Sequence, residues 1–221
     1  LAYRALCQRR KVAFFECGDM SERQIKRRFM CRVAKHPSSG RGRKWPVTVK
    51  WPEKITVPQY NGKWEPASVN YGETYTFDNP LGPIQAKKAF KKFIETKILS
   101  KESHFRLAAY PTNSVNVMNL RSTLRTWERT GFMPDIVVID YADILAAPDD
   151  SKKDDFRHQI NRTWQQLKAM SLELHCLVAT ATQADADSYT RITMDRRNFS
   201  EDKRKLAQID GMFGINVAGD E

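Results

Sequence analysis

The sequence predicts an α/β fold with a mostly parallel sheet, helices on both faces of that sheet, and a small β insertion. Short continuous apolar runs alternate with segments of helical periodicity, which is typical of parallel strands covered on both faces. A stretch of alternating apolar and polar residues, with a hairpin signal at Asn61-Gly62, interrupts this order. The 221 residues, 41% of them apolar, suffice for one sizeable core and exclude disordered and collagen-like chains.

The first segment predicts the end of a helix, a strand and a second helix. Residues 1–10 have the pattern of a helix end, and the sequence begins with Leu1, so we expect a piece of a longer protein. Residues 12–16 form a short apolar run and predict a buried strand. The Ser-x-x-Gln capping box at residues 21–24 predicts a helix that extends to about residue 35, followed by a basic loop.

The middle of the chain predicts an insertion, and the rest returns to alternating strands and helices. We expect residues 37–95 to form a β-rich region of two to four strands with a lysine-rich helix at 84–99, between core segments 1–36 and 96–221. Beyond it, the predicted strands are 105–110, 136–139 and 176–181, the helices are 115–130 and 153–172, and a last apolar segment lies near 212–217.

The charge is concentrated at one end of the chain. Residues 1–50 hold 14 Lys/Arg and 3 Asp/Glu, which accounts for the whole net charge of +11, since 14 − 3 = 11. Such asymmetry favours a polyanionic partner, with nucleic acid first and phosphate-bearing ligands second, although a basic solubilising face is the alternative.

Cysteine usage and hydropathy indicate the compartment. The four cysteines have no CxxC spacing and no matching His cluster, which favours reduced thiols of an intracellular protein over a zinc site. No apolar run approaches the ~20 residues that span a bilayer. We therefore expect a soluble, cytoplasmic protein without a membrane partner.

Polar residues that follow three predicted strands carry the chemistry. Asp140 ends an apolar strand, where an acid can hold the Mg²⁺ of a nucleotide; a strand that merely ends in Asp is the alternative. Gln183 follows another strand and could sense a γ-phosphate. Glu16 and Asp19 follow the first strand, and one of them could polarise an attacking water; alternatively, Asp19 only favours the positive end of the next helix.

Together, in this order, the motifs resemble the DnaB-type replicative helicases and the RecA/KaiC-like ATPases around them. Residues 12–15 followed by Asp-Met-Ser-Glu-Arg-Gln-Ile at 19–25 look like the family's strand, catalytic acid, Met and helix. Val-Ile-Asp-Tyr at 138–141 resembles its Walker B strand, and Thr-Gln at 182–183 its sensor glutamine. Residues 202–216 look like its closing helix and strand.

The resemblance implies a RecA-like ATPase core that hydrolyses MgATP at the interfaces of a homo-oligomer, for which a hexameric ring is one candidate form. Asp140 would orient Mg²⁺, Asp19 would activate water, and Gln183 would couple the γ-phosphate to the loop that follows it. The family usually has Glu where this chain has Asp19, so Glu16 stays a second candidate for the catalytic acid. Lys203 and Lys205 could reach the nucleotide of a neighbouring subunit, or could lie on a solvated helix face.

The phosphate-binding motif is the main departure from the family. The sequence contains no Gly-x-x-x-x-Gly-Lys-Ser/Thr, and Gly-Arg-Gly-Arg-Lys at 40–44 has the wrong spacing. In the family this loop precedes the first strand seen here, so we expect it upstream of Leu1. The alternative is a degenerate ATPase that keeps the fold and serves as a nucleic-acid- or protein-binding scaffold.

Basic and aromatic residues of the insertion suggest the nucleic-acid partner, with single-stranded DNA as the first candidate. Such residues can hold a single strand by backbone contacts and base stacking, although a small β region also needs aromatics for its own core. The loop 184–196 is a second candidate DNA contact. The candidates are Arg41, Arg43, Lys44, Trp45, Trp51, Trp64, Arg191 and Arg196.

Two other functional classes stay open beside a DnaB-type helicase motor. One is a KaiC/RecA-like regulatory or recombination ATPase that does not unwind nucleic acid. The other is the scaffold without catalysis. The upstream sequence separates the scaffold from the two ATPases, and strand displacement by the complete protein separates the two ATPases from each other.

Overall fold

A parallel sheet of four strands forms the centre of the protein. The computed structural model describes residues 1–39, 44–59, 67–99, 102–148, 155–184 and 203–215. The strands are β1 (Val12–Glu16), β2 (Val47–Thr56), β3 (Ser68–Phe77), β4 (Phe105–Ala109), β5 (Ile136–Asp140) and β6 (Leu177–Thr180). The helices are α1 (Ala2–Cys7), α2 (Glu22–Ala34), α3 (Pro83–Phe93), α4 (Val117–Glu128) and α5 (Phe156–Leu174).

The strand order in the parallel sheet is β4-β1-β5-β6, which confirms the predicted α/β class. All three pairings are parallel, and β1 has a hydrogen-bonded neighbour on each side. The register places Glu16 beside Ala109 on one side and beside Asp140 on the other. The carboxyl ends of the strands therefore meet at one edge of the sheet.

Each face of the sheet has its own apolar core, because alternate residues of a strand point to opposite faces. On one face, Ala13 and Phe15 pack with the buried residues of α4 and α5. On the other, Val12 and Phe14 pack with α1, α2 and Phe93. Phe15 is fully buried and contributes about 1.5–3 kcal/mol through that burial.

Helix α2 begins as its capping box predicts. The Ser21 hydroxyl accepts from the Gln24 N–H over 3.3 Å, and the Ser21 N–H donates to Gln24 Oε1 over 2.7 Å. Ile25 is buried on the side of α2 that faces the sheet. The helix ends where Lys35 adopts a left-handed conformation, with φ 50°.

Strands β2 and β3 form a separate antiparallel pair, so the predicted insertion has two strands among the described residues. The Phe77 ring contacts the ring of His36, which lies just after α2, with centroids 4.4 Å apart. The Trp51 ring lies 6.0 Å from the guanidinium of Arg32 on α2. The predicted turn at Asn61-Gly62 lies outside the described residues. Helix α3 follows, and Ile94–Ile98 extends it as a π-helical turn.

The C-terminal segment differs from the expected closing helix and strand. Lys203–Gln208 forms a 3₁₀ helix, and residues 209–215 contain no strand. Among the described residues β6 pairs only with β5, and Phe213 and Ile215 are 93% and 83% exposed. The described part of the apolar run, residues 212–215, therefore lacks the ladder hydrogen bonds that a strand requires.

The cysteine thiols and the length of the helices bear on two further predictions. All four cysteine thiols are free, and Cys17 and Cys176 are buried. In the part of the chain that the structure describes, no helix combines the length and the apolar character needed to cross a bilayer.

Candidate active site

Three carboxylates lie at the carboxyl edge of the central strands. Glu16 ends β1 and Asp140 ends β5 as its direct ladder neighbour, while Asp19 lies three residues beyond Glu16. None of the three forms an ion pair with any residue that the structure describes. The edge thus concentrates negative charge, as a site for a cation requires.

Glu16 is fully buried, and its two carboxylate oxygens differ in their surroundings. Oε1 accepts from the backbone N–H groups of Gly18, Asp19 and Met20, over 3.2, 2.7 and 2.8 Å. Oε2 is also buried and has no hydrogen-bond partner among the described residues. The Glu16 side chain therefore holds the turn between β1 and α2 by accepting from three of its backbone N–H groups.

Asp140 is partly buried, and burial raises the pKa of its carboxyl above the usual value. The negative charges of Glu16 and Asp19 raise this pKa further, whereas the positive charge of Arg28 on α2 lowers it. Asp140 would therefore gain from a nearby cation, because a positive charge offsets the repulsion within the group.

The turn after β1 is closely packed against the segment that follows β4. Gly18 has φ +121°, and an added Cβ would lie 2.3 Å from the backbone of Thr112. The Thr112 hydroxyl donates to the Gly18 carbonyl over 2.8 Å. Only glycine fits this conformation and this close approach without strain.

A hydrogen bond to Tyr141, the residue that follows Asp140, links Gln183 to the end of β5. Its Nε2 donates to the Tyr141 hydroxyl over 3.2 Å. The ends of β5 and β6 are also joined by Thr180, whose hydroxyl accepts from the Ala142 N–H and donates to the Ile139 carbonyl, each over 2.9 Å. The structure thus brings Glu16, Asp19, Asp140 and Gln183 to one edge of the sheet.

Lys205 was predicted either to reach the nucleotide of a neighbouring subunit or to lie on a solvated helix face. Its side chain is fully buried, and its Nζ donates to Asp143 Oδ1 over 2.9 Å and to the Thr182 hydroxyl over 3.2 Å. Trp164 Nε1 donates to the same Asp143 oxygen over 3.2 Å. The ammonium is therefore buried and paired inside its own chain, and it does not lie on a solvated helix face.

Asp143 was not among the predicted site residues, although its carboxylate accepts from three different side chains. One signal was available, because a tryptophan on the apolar face of a helix requires an acceptor for its N–H. The partners of Asp143 lie 21, 39 and 62 residues away, so no local spacing identifies them.

The other predicted contacts are only partly described. Lys44 is exposed, Trp45 is half-buried, and Trp51 lies beneath the guanidinium of Arg32. The backbone of Lys203 belongs to the 3₁₀ helix. The remaining candidates, Arg41, Arg43, Trp64, Arg191 and Arg196, lie outside the described residues.

Comparison with known proteins bears on the fold. No family model matches the chain, and no curated protein matches it. Among solved structures, the ATPase domain of G40P matches with a TM-score of 0.62 and 13% identity, covering 95% of this chain and 60% of that chain. The chain therefore shares the fold of that ATPase domain.

A second similar structure is described as that of a DnaB-like replicative helicase and its interactions with primase. Its TM-score is 0.49 with 15% identity, and the match covers 82% of this chain and 34% of that one. The chain spans about 60% of the length of the G40P chain. The predicted RecA-like architecture is confirmed, and the acids at the sheet edge lie within it.

Proposed function

We propose that this chain is part of a DnaB-type motor that hydrolyses MgATP while bound to nucleic acid. The observation that supports the proposal best is the convergence of Asp140, Asp19 and Gln183 at one edge of a RecA-like sheet. Open α/β sheets bind their ligands at this edge. An acid, a candidate base and a neutral amide are among the groups that nucleotide hydrolases use there.

The residues at this edge fit a magnesium nucleotide. The described residues contain no group of three or more His, Cys, Asp or Glu side chains placed to bind a metal ion. Magnesium needs no such group, because one or two carboxylates, several waters and the phosphates of the nucleotide complete its shell. Asp140 would hold the ion, which supplies charge stabilisation to the phosphates when bound.

Asp19 and Gln183 would act around the reacting phosphate. Asp19 is exposed at the turn after β1, so its carboxylate is accessible to water and could accept a proton from it. Gln183 carries no charge, so it could contact a γ-phosphate without repulsion, and its bond to Tyr141 couples β6 to the end of β5. Lys203 stays a candidate for contact with a nucleotide.

The partners and the organisation of the whole protein belong to the same proposal. We propose a homo-oligomer, with a hexameric ring as one form, and single-stranded DNA as the nucleic acid. The basic excess of residues 1–50 supports a polyanionic partner. Within this scheme, 1–36 and 96–221 form the ATPase core, residues 37–95 form an insertion, and the phosphate loop lies upstream of Leu1.

The test measures ATP hydrolysis by variants of the full-length protein in which a single aspartate is replaced by asparagine. Asp140→Asn should lower kcat for ATP hydrolysis by about 100-fold or more, and Asp19→Asn should do the same. Asp135→Asn is the matched control, since Asp135 lies before the amino end of β5 and accepts from the Lys11 N–H, so its hydrolysis rate should match wild type.

The result also decides between the candidate functions. Hydrolysis that single-stranded DNA stimulates, together with strand displacement, supports the helicase motor. Hydrolysis without strand displacement supports the regulatory or recombination ATPase. No hydrolysis by wild type, or equal rates for wild type and Asp140→Asn, would overturn the proposal.

A further inference from the structure

We propose that Glu16 is a positioning residue that holds the turn carrying Asp19, and that Glu16 does not itself accept the proton from water. The inference rests on the proposed function, because it assigns different roles to the two acids that follow β1. Glu16 lies below the turn and is fully buried, whereas Asp19 lies on the turn and is exposed.

Every backbone N–H from Cys17 to Ser21 has an acceptor, and Glu16 provides three of the five. The Cys17 N–H donates to the Asp140 carbonyl over 2.9 Å, which is the last bond between β1 and β5. The next three N–H groups donate to Glu16 Oε1, and the Ser21 N–H donates to Gln24 Oε1. Without Glu16, the turn would lose all three acceptors between the sheet and α2.

This arrangement determines where Asp19 lies. The shortest of the three bonds, 2.7 Å, comes from the N–H of Asp19 itself. Residues on both sides of Asp19 are held by the same oxygen, at 3.2 Å and 2.8 Å. A shared acceptor for three successive N–H groups fixes their relative orientation, so the Asp19 side chain leaves the backbone in a set direction.

The same contacts argue against Glu16 as the base. Three N–H donors occupy Oε1, and Oε2 is buried, so neither oxygen is open to solvent. A general base must lie within hydrogen-bond reach of the water that it activates. Asp19 can meet this requirement because it is exposed. Glu16 is buried, and its three hydrogen bonds suit it to hold the turn in place.

The test compares Glu16→Gln with Glu16→Met in the full-length protein, and Asp19→Asn serves as the reference for loss of the base. Gln keeps an oxygen that can accept from the three N–H groups, whereas Met has a similar length and no such acceptor. Glu16→Gln should keep kcat for ATP hydrolysis within about threefold of wild type. Glu16→Met should lower kcat by about 100-fold with little change in KM, because the candidate base is misplaced.

Hydrogen exchange of the amides of residues 18–20 reports on the turn independently of catalysis. Glu16→Gln should retain the slow exchange of wild type, and Glu16→Met should lose it, while Asp19→Asn should leave it unchanged. If Glu16→Met does not fold, the comparison of Glu16→Gln with Asp19→Asn decides the assignment.

Two results would overturn the inference. A loss of kcat in Glu16→Gln as large as that in Asp19→Asn would make Glu16 the base. Wild-type kcat and exchange in a folded Glu16→Met would show that the turn needs no support. Absence of hydrolysis in the wild type would instead refute the proposed function, and the exchange experiment would still show whether Glu16 holds the turn.

Discussion

The ammonium of Lys205 and the carboxylate of Asp143 form a buried ion pair, with Nζ 2.9 Å from Oδ1. Lys205 is 0% exposed, and the Asp143 side chain is 13% exposed. The pair joins the segment after β5 to the 3₁₀ helix near the C-terminal end of the described chain. Removing Lys205 would leave the largely buried Asp143 carboxylate without this ammonium.

We predict that Lys205→Met destabilises the protein by about 3–5 kcal/mol, the usual result of breaking a buried pair. Lys168→Met is the matched control, because Lys168 pairs with Asp210, whose side chain is 85% exposed. That control should cost no more than about 1 kcal/mol. Urea unfolding measures both variants, and equal losses would contradict the difference in burial.

The negative charges of the acids at the sheet edge should lower the free energy of unfolding. Burial and the charges of Glu16 and Asp19 raise the pKa of Asp140, so its ionised form is unfavourable in the folded protein. Asp140→Asn should therefore raise the free energy of unfolding at pH 7 by about 0.5–2 kcal/mol, although it removes the candidate metal ligand. Asp135→Asn should give no such gain, because the Asp135 carboxylate accepts from the Lys11 N–H over 2.7 Å. Thermal unfolding compares the two, and a lower melting temperature for Asp140→Asn would refute the argument.

Gly18 should tolerate substitution less well than Gly131. Both have positive φ, +121° and +79°, but an added Cβ would contact Thr112 at Gly18 and nothing within 4 Å at Gly131. Gly131→Ala should cost about 1–2 kcal/mol through its backbone conformation alone. Gly18→Ala should cost more, since the steric clash adds to a similar backbone cost, and chemical denaturation of the two variants would show it. Equal costs would mean that the turn moves freely away from Thr112.

Cys17 should make stability fall at alkaline pH. Burial raises the pKa of its thiol to about 12, with further contributions from the charges of Glu16 and Asp140. The unfolded thiol ionises near pH 8.5. Between these values the unfolded chain binds fewer protons than the native protein, so the free energy of unfolding decreases as pH rises.

The measurement follows the free energy of unfolding from pH 8 to 10.5 in wild type and in Cys17→Ala. The variant should show a shallower decline than wild type. Cys31→Ala serves as the control, because Cys31 is only partly buried, and it should keep the wild-type slope. Parallel curves for wild type and Cys17→Ala would exclude the buried thiol as the cause.

Local patterns predicted the central strands and the start of α2. Strands β1 and β5 are short apolar runs because both of their faces are covered, and the Ser21–Gln24 box forms the hydrogen bonds that its spacing implies. The candidate acids followed from the same reasoning, because parallel strands bring their carboxyl ends to one edge.

Non-local contacts could not be predicted in this way. The pairing of Lys205 with Asp143 spans 62 residues, so the sequence around Lys205 does not indicate this partner. The roles of Glu16 and Asp19 could not be separated either, because burial distinguishes them and residue type does not. The apolar segment near 212–217 has the composition of a strand, but hydrophobicity alone does not provide a pairing partner, and its described part, 212–215, contains no strand.

The central place of β1 in the sheet has a consequence for how the site responds to local unfolding. Because β4 and β5 both pair with β1, complete release of this strand requires both ladders to open, and such openings have free energies close to that of global unfolding. Glu16 belongs to this strand, so the carboxylate beneath the turn should keep its place through partial openings of the outer strands. The geometry around Glu16 should therefore be lost only at free energies close to that of global unfolding.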